Sequence, residues 1–220
     1  MKYTNENGRS MVEMLGVLAI IGVLSVGGIA GYSKAMNKYK INKTVDQVSL
    51  LVANLRTLFS SQGNYKDLDN AAAIDFGVVP EDMINGEALK NAFNGSVTIV
   101  ADEARSGTSD QEDSFIIEYN GLSEEACITI ATGDWGSGQA SGLIGLAAGV
   151  VDAPDSGTLS TIGAQLNEVF VDDDSKAVAD SGIAVPGSAN PTPMSVTEAL
   201  TACGADGSSG SNHSVAWKYY

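Results

Sequence analysis

Few residues in this chain could make or break bonds, and they do not form a set. His213 is the single histidine, so a triad would have to use it, and neither GxSxG nor HExxH accompanies it. Asp172, Asp173 and Asp174 offer three carboxylates, but Lys176 takes the next alternate position, where a calcium loop needs a ligand. The triplet therefore reads as a solvated turn. Gly136-Ser137-Gly138 completes neither GxGxxG nor GxxxxGK[ST] and makes no phosphate cradle. Cys127 and Cys203 lie 76 residues apart, which excludes a CxxC redox pair, and one histidine makes a poor zinc set. If this part of the chain is exported, one disulfide between them is the expected state. No catalytic residue, metal or cofactor is expected.

One further residue type stands out by its surroundings. Glu13 borders an uncharged apolar run, Met14 to Ala30, that contains no proline. A carboxylate inside such a helix costs on the order of 2.5–3.5 kcal/mol at a bilayer centre, and less near an edge. Two readings remain open: the carboxylate reaches the headgroups, or it meets a cation inside an assembly of such helices.

The element that carries Glu13 must be a helix, because only a helix satisfies its own backbone in hydrocarbon. With Met11 and Val12 the run approaches the roughly 20 residues that span a bilayer of about 30 Å. Gly16, Gly22, Gly27, Gly28 and Gly31 would weaken that helix in water and permit close approach of a neighbour. The helix is expected to continue, since Ile41, Val45, Val48, Val52, Leu55 and Phe59 recur at helical spacing, with Lys34, Lys38, Lys40, Lys43, Asp46 and Arg56 off that stripe. Some fifty residues at about 1.5 Å each make a rod of roughly 75 Å. Its second half is apolar on one side only, and the downstream part of the chain is the expected packing partner.

Charge divides the same way. Residues 1–60 hold seven basic and three acidic side chains, and the whole chain carries −15, which leaves −19 for the remainder. So acidic a head repels nucleic acid, and none is expected as a partner.

In the head, Pro80-Glu81-Asp82-Met83-Ile84 reads as a helix start, Val97 to Val100 and Phe115 to Tyr119 as an antiparallel strand pair, and Ser123 as the N-cap of a helix carrying Cys127. Leu143 to Val151 and Ile162 to Val171 are ambiguous between strand and helix. Ser195 to Cys203 reads as a short helix with a capping-box start, and Val215 to Tyr220 as a last strand.

Gly8-Arg9-Ser10-Met11-Val12-Glu13-Met14, followed by the apolar run, resembles the processing site of a type IV prepilin. The resemblance implies cleavage by a prepilin peptidase after Gly8, with Arg9 as the new first residue and Glu13 as the fifth. Gly8, Ser10, Met11, Val12 and Glu13 match; Arg9 departs from the apolar, N-methylated residue usual there. Cleavage would create an ammonium on Arg9 that Glu13 of a neighbouring subunit can neutralise, and a wrong register would leave a charge buried and unpaired. Gly63-Asn64-Tyr65, Lys90 to Gly95, and Phe115 to Cys127 are similar to type IVb major pilins, of the toxin-coregulated and conjugative thin-pilus kinds. An eight-residue leader is short for that class.

The resemblance implies an α+β fold, a long N-terminal helix packed on an antiparallel sheet in the ladle architecture, with a Cys127–Cys203 disulfide beside a variable surface region. It divides the chain into a leader (1–8), a helix (9–61, of which 9–31 is membrane or filament core and 32–61 amphipathic) and a globular head (62–220). It implies a homo-oligomeric helical filament at the cell surface, an inner-membrane precursor, and inner-membrane assembly machinery as partner. Two alternatives share parts of this reading. A minor pilin or type II secretion pseudopilin would have the same stalk. A secreted binding domain, cut by signal peptidase at Gly28-Ile29-Ala30, would begin at Gly31.

Overall fold

The computed structural model describes residues 11–103, 112–136, 141–151, 158–167, 182–186, 192–204 and 212–220. Gly8, Arg9 and the triplet Asp172–Asp174 lie outside them. The chain divides into two compact units, Met1–Tyr39 and Lys40–Tyr220. Helix α1 runs from Met11 to Phe59, with no proline to break it. In the first unit every residue from Met11 to Ala35 is exposed.

The second unit is built on one antiparallel sheet. Its strands are β1 (Ile84–Asn85), β2 (Ala88–Lys90), β3 (Ser96–Asp102), β4 (Ser114–Leu122), β5 (Leu143–Val150), β6 (Ile183–Ala184) and β7 (His213–Tyr219). The order is β1-β2-β3-β4-β7-β5-β6, so the last strand of the chain lies inside the sheet, between β4 and β5. Period-two alternation sends Phe115, Ile117, Tyr119, Val215 and Trp217 to one core and Ile116, Ile144, Ala147 and Ala216 to a second. A register shift between Leu143 and Gly145 lets Leu143 and Leu146 join the same core.

The first core takes in the second half of α1 together with α3 (Glu124–Ala131) and α5 (Val196–Gly204). The face α1 buries is Ile41, Thr44, Gln47, Val48, Leu51, Leu55 and Phe59. It is turned from the expected stripe: Val45 and Val52 are half-buried, while Leu51 is fully covered. Polar contact explains the turn, since the Gln47 Nε2 amide donates to Asp82 Oδ2 at 3.2 Å and so belongs to the inner face. The second core is covered by α4 (Thr161–Asn167).

One expectation changes and two open readings are settled. The segment at Pro80 makes only a single 3₁₀ turn, Glu81–Met83, because the fully buried Met83 ends it and the chain enters the β1–β2 hairpin. Gly86, at φ +68°, sits in the two-residue loop that pairs Asn85 with Ala88. Leu143–Val150 is a strand and Thr161–Asn167 a helix, while residues 168–171 of the second open stretch lie outside the described residues. Helix α2 (Asn70–Asp75) starts at Asp69, whose carboxylate accepts from the Ala72 N–H at 2.7 Å.

Candidate functional site

Glu13 lies in the first turn of α1 and is exposed. Arg9, its expected counterpart, is outside the described residues. Past Glu13 the helix presents an uncovered apolar surface: an 18-residue stretch has mean hydropathy 2.2, and none of it is buried. A Cβ built on Gly16, Gly22, Gly27, Gly28 or Gly31 meets nothing within 4 Å, so these glycines form open notches along the helix. A monomeric soluble protein rarely exposes so continuous an apolar face. Such a face can do two things: dissolve in lipid, or pack against equivalent helices through its small residues.

The disulfide joins Cys127 of α3 to Cys203 of α5, with Cα atoms 5.9 Å apart. Local chemistry sets both ends. Ser123 Oγ accepts from the Ala126 N–H at 3.3 Å and starts α3, which carries Cys127 on its inner face. Ser195 Oγ accepts from the Glu198 N–H at 3.2 Å and starts α5, whose last turn holds Cys203. Ala126, Ala199 and Ala202 keep the two helices close to the core. The outer side of α5 presents Val196 and Leu200 to solvent.

The motif Lys90 to Gly95 is a backbone clamp. Asn91 Oδ1 accepts from the N–H groups of Phe93 and Gly95, and its Nδ2 donates to Asn120 O at 2.7 Å. A Cβ at Gly95 would fall 1.8 Å from that same carbonyl, so only glycine fits. Tyr65 of the Gly63-Asn64-Tyr65 motif packs its ring 5.2 Å from Phe59 and 4.7 Å from Phe115, tying the end of α1 to the sheet. Burial pushes the Tyr65 and Tyr119 phenols up, Tyr119 well above the usual range.

His213 is buried in β7, opposite Leu122 on one side and Val150 on the other. It is an interior position of the sheet.

A polar network that sequence reasoning missed lies under α4. Glu118 of β4 is fully buried, and its carboxylate accepts from the Ser160 N–H at 2.9 Å, from Ser214 Oγ at 2.5 Å and from Ser160 Oγ. Lys218 of β7, also fully buried, pairs with Asp102 at 2.5 Å and donates to Leu166 O at 3.1 Å. The carboxylate thus sits at the start of α4 and the ammonium at its end. The signal was a charge set inside each of two apolar strands, Phe115 to Tyr119 and Val215 to Tyr219.

A family model described as PilS N terminal matches residues 38–179. The toxin coregulated pilin of Vibrio cholerae is 26% identical over 134 residues, which cover 60% of this chain and 59% of that protein. The major structural subunit of the bundle-forming pilus of Escherichia coli O127:H6 is 21% identical over 131 residues, 58% of this chain and 64% of that one. The chain therefore spans about three fifths of the length of the curated relatives it matches. The crystal structure of TcpA, a type IV pilin from Vibrio cholerae El Tor biotype, superposes with a TM-score of 0.54 at 20% identity, over 83% of this chain and 99% of that one. With more than half of its length inside the family model, and with a long N-terminal helix and antiparallel sheet that repeat the TcpA fold, this chain belongs to the PilS N-terminal family of type IVb pilins.

Proposed function

We propose that the chain is a structural subunit of a type IV pilus, made as an inner-membrane precursor, cut by a prepilin peptidase after Gly8 and polymerised through its N-terminal helix. The product is an extracellular homo-oligomeric fibre for adhesion, aggregation or cell contact, built with inner-membrane assembly machinery. The leader is 1–8, the helix 9–61 and the head 62–220. One observation carries this reading: the fully exposed apolar stretch of α1, which has to be covered by lipid in the precursor and by other copies in the fibre. The names of the relatives support it, since each is itself a pilin or a pilus subunit.

In this scheme Glu13 neutralises the ammonium that cleavage creates on Arg9 of the next subunit. The test compares Glu13→Ala with the unaltered chain for membrane insertion, head folding and fibres sheared from the surface. Insertion and folding are expected to persist while fibres vanish; normal fibres from the variant would refute the register role. Mass spectrometry of the N-terminus checks the processing step, with Arg9 expected and Gly31 marking release by signal peptidase instead.

A further inference from the structure

Beyond its apolar run, α1 carries a second surface. From Met14 to Val45 the helix holds no acidic residue, and it holds Lys34, Lys38, Lys40 and Lys43. Two of these are engaged within the globular unit: Lys43 Nζ lies 2.7 Å from Asp82 Oδ2, and Lys40 Nζ stands 5.5 Å from the centre of the Phe93 ring. Lys34 and Lys38 are exposed and have no ion pair among the described residues. Four residues apart, they stand one turn above each other on one side of the helix. Tyr32 and Tyr39 are 67% and 58% exposed. At about 100° per residue they share the opposite side.

Phenol rings and lysines set directly after an apolar run are the composition of a membrane–water boundary. The axial positions agree. At about 1.5 Å per residue Lys34 is some 6 Å beyond Ala30 and Lys38 some 12 Å. The headgroup layer of one leaflet is roughly 5–8 Å deep, within reach of both flexible stems.

We propose that residues 32–39 form a lipid collar, in which Lys34 and Lys38 hold anionic phospholipid headgroups while Tyr32 and Tyr39 fix the depth of the helix. The proposal rests on the reading of α1 as a membrane anchor before assembly. The collar supplies a role for positive charge that follows the span instead of preceding it. It also makes release from the bilayer an exchange, in which headgroup phosphates must be given up before a subunit can enter a fibre.

The test reconstitutes the full chain in vesicles of phosphatidylcholine and phosphatidylglycerol and reads the lipids retained on it by native mass spectrometry. The unaltered chain is expected to favour phosphatidylglycerol about twenty-fivefold, from two lysines worth roughly fivefold each. Lys34→Gln with Lys38→Gln should bring the ratio near one, and Lys40→Gln with Lys43→Gln should leave most of it. An undiminished preference in the first pair overturns the collar. So does loss of copy-to-copy crosslinks at an unchanged lipid ratio, which would assign the two lysines to the acidic surface of a second copy. Displacement of the lipid by millimolar inorganic phosphate would mark a free-phosphate site and overturn it too. Resistance to alkaline extraction separates the two readings: a chain that resists extraction without lipid preference sinks the collar alone, and a chain that washes off sinks the anchor.

Discussion

Glu118 and Lys218 are the residues whose removal should cost the fold most. A charge taken out of water is tolerated only when its partners are complete, and here the carboxylate has three donors and the ammonium a carboxylate and a carbonyl. Their placement also matches the dipole of α4, negative charge at its start and positive at its end. Glu118→Ala or Lys218→Ala should each lower stability by about 3–5 kcal/mol, because either leaves buried polar groups unpaired. Urea unfolding of the full chain measures this, and a loss below about 1 kcal/mol would mean that water fills the gap. Two other acids should give opposite pH responses. Burial holds the Glu198 carboxyl above its ordinary range, and its Oε1 has no hydrogen-bond partner among the described residues. A raised folded-state value gives stability that is full below the unfolded value and is lost as pH rises through the folded one. Glu198→Gln should therefore raise the melting temperature slightly at pH 7 and leave it unchanged in acid. The hydrogen bond from Lys43 holds Asp82 below its ordinary range, so its contribution is present above the unfolded value and lost as pH falls through the lowered one. Asp82→Asn should lower the melting temperature slightly at pH 7 and not in acid, a small effect because the pair is half exposed.

Helices α3 and α5 are joined by the disulfide, and apart from Ile130 of α3 their other buried side chains are alanines. Closing a 76-residue loop removes denatured-state entropy worth about 4 kcal/mol in the chain-entropy picture. Cys127→Ser should lower stability by that order and should raise hydrogen exchange in α5 before it rises in the buried half of α1. Equal melting temperatures without reductant would contradict it. These two helices were legible in the chain because their signals are local: a serine cap, acids in the first turn of α3, and a cysteine on each buried side. The long helix was legible for the same reason, as were strands β3 and β4. The β1–β2 hairpin was missed although Asn85-Gly86 is a strong turn pair, because the proline and acids before it imitate a helix start. The central place of β7 was not legible at all. It depends on pairing with β4 and β5, and no local pattern states which distant strand a strand will join. The network under α4 failed for the same cause, since its bonds reach across 42 and 52 residues.

In the whole molecule two physical demands conflict. The apolar stretch of α1 favours association at any ionic strength, while a head carrying −19 opposes it by charge repulsion. The proposed fibre would bring many such heads close to each other. Screening decides how much of the repulsion survives: the Debye length is about 30 Å at 0.01 M salt and about 8 Å at 0.15 M. Purified fibres should therefore shed subunits into detergent at low ionic strength and resist at physiological salt, and partial protonation of the carboxylates near pH 4 should mimic added salt. Sedimentation of fibres across a salt series, with the soluble fraction quantified, measures the effect. Loss that rises with salt instead would mean that the acids of one head are paired with basic residues of its neighbours, an attraction that salt screens. In that event, replacing exposed acids such as Glu124 and Glu125 of α3 would weaken the fibre instead of strengthening it, so the sign of that substitution separates repulsion from pairing.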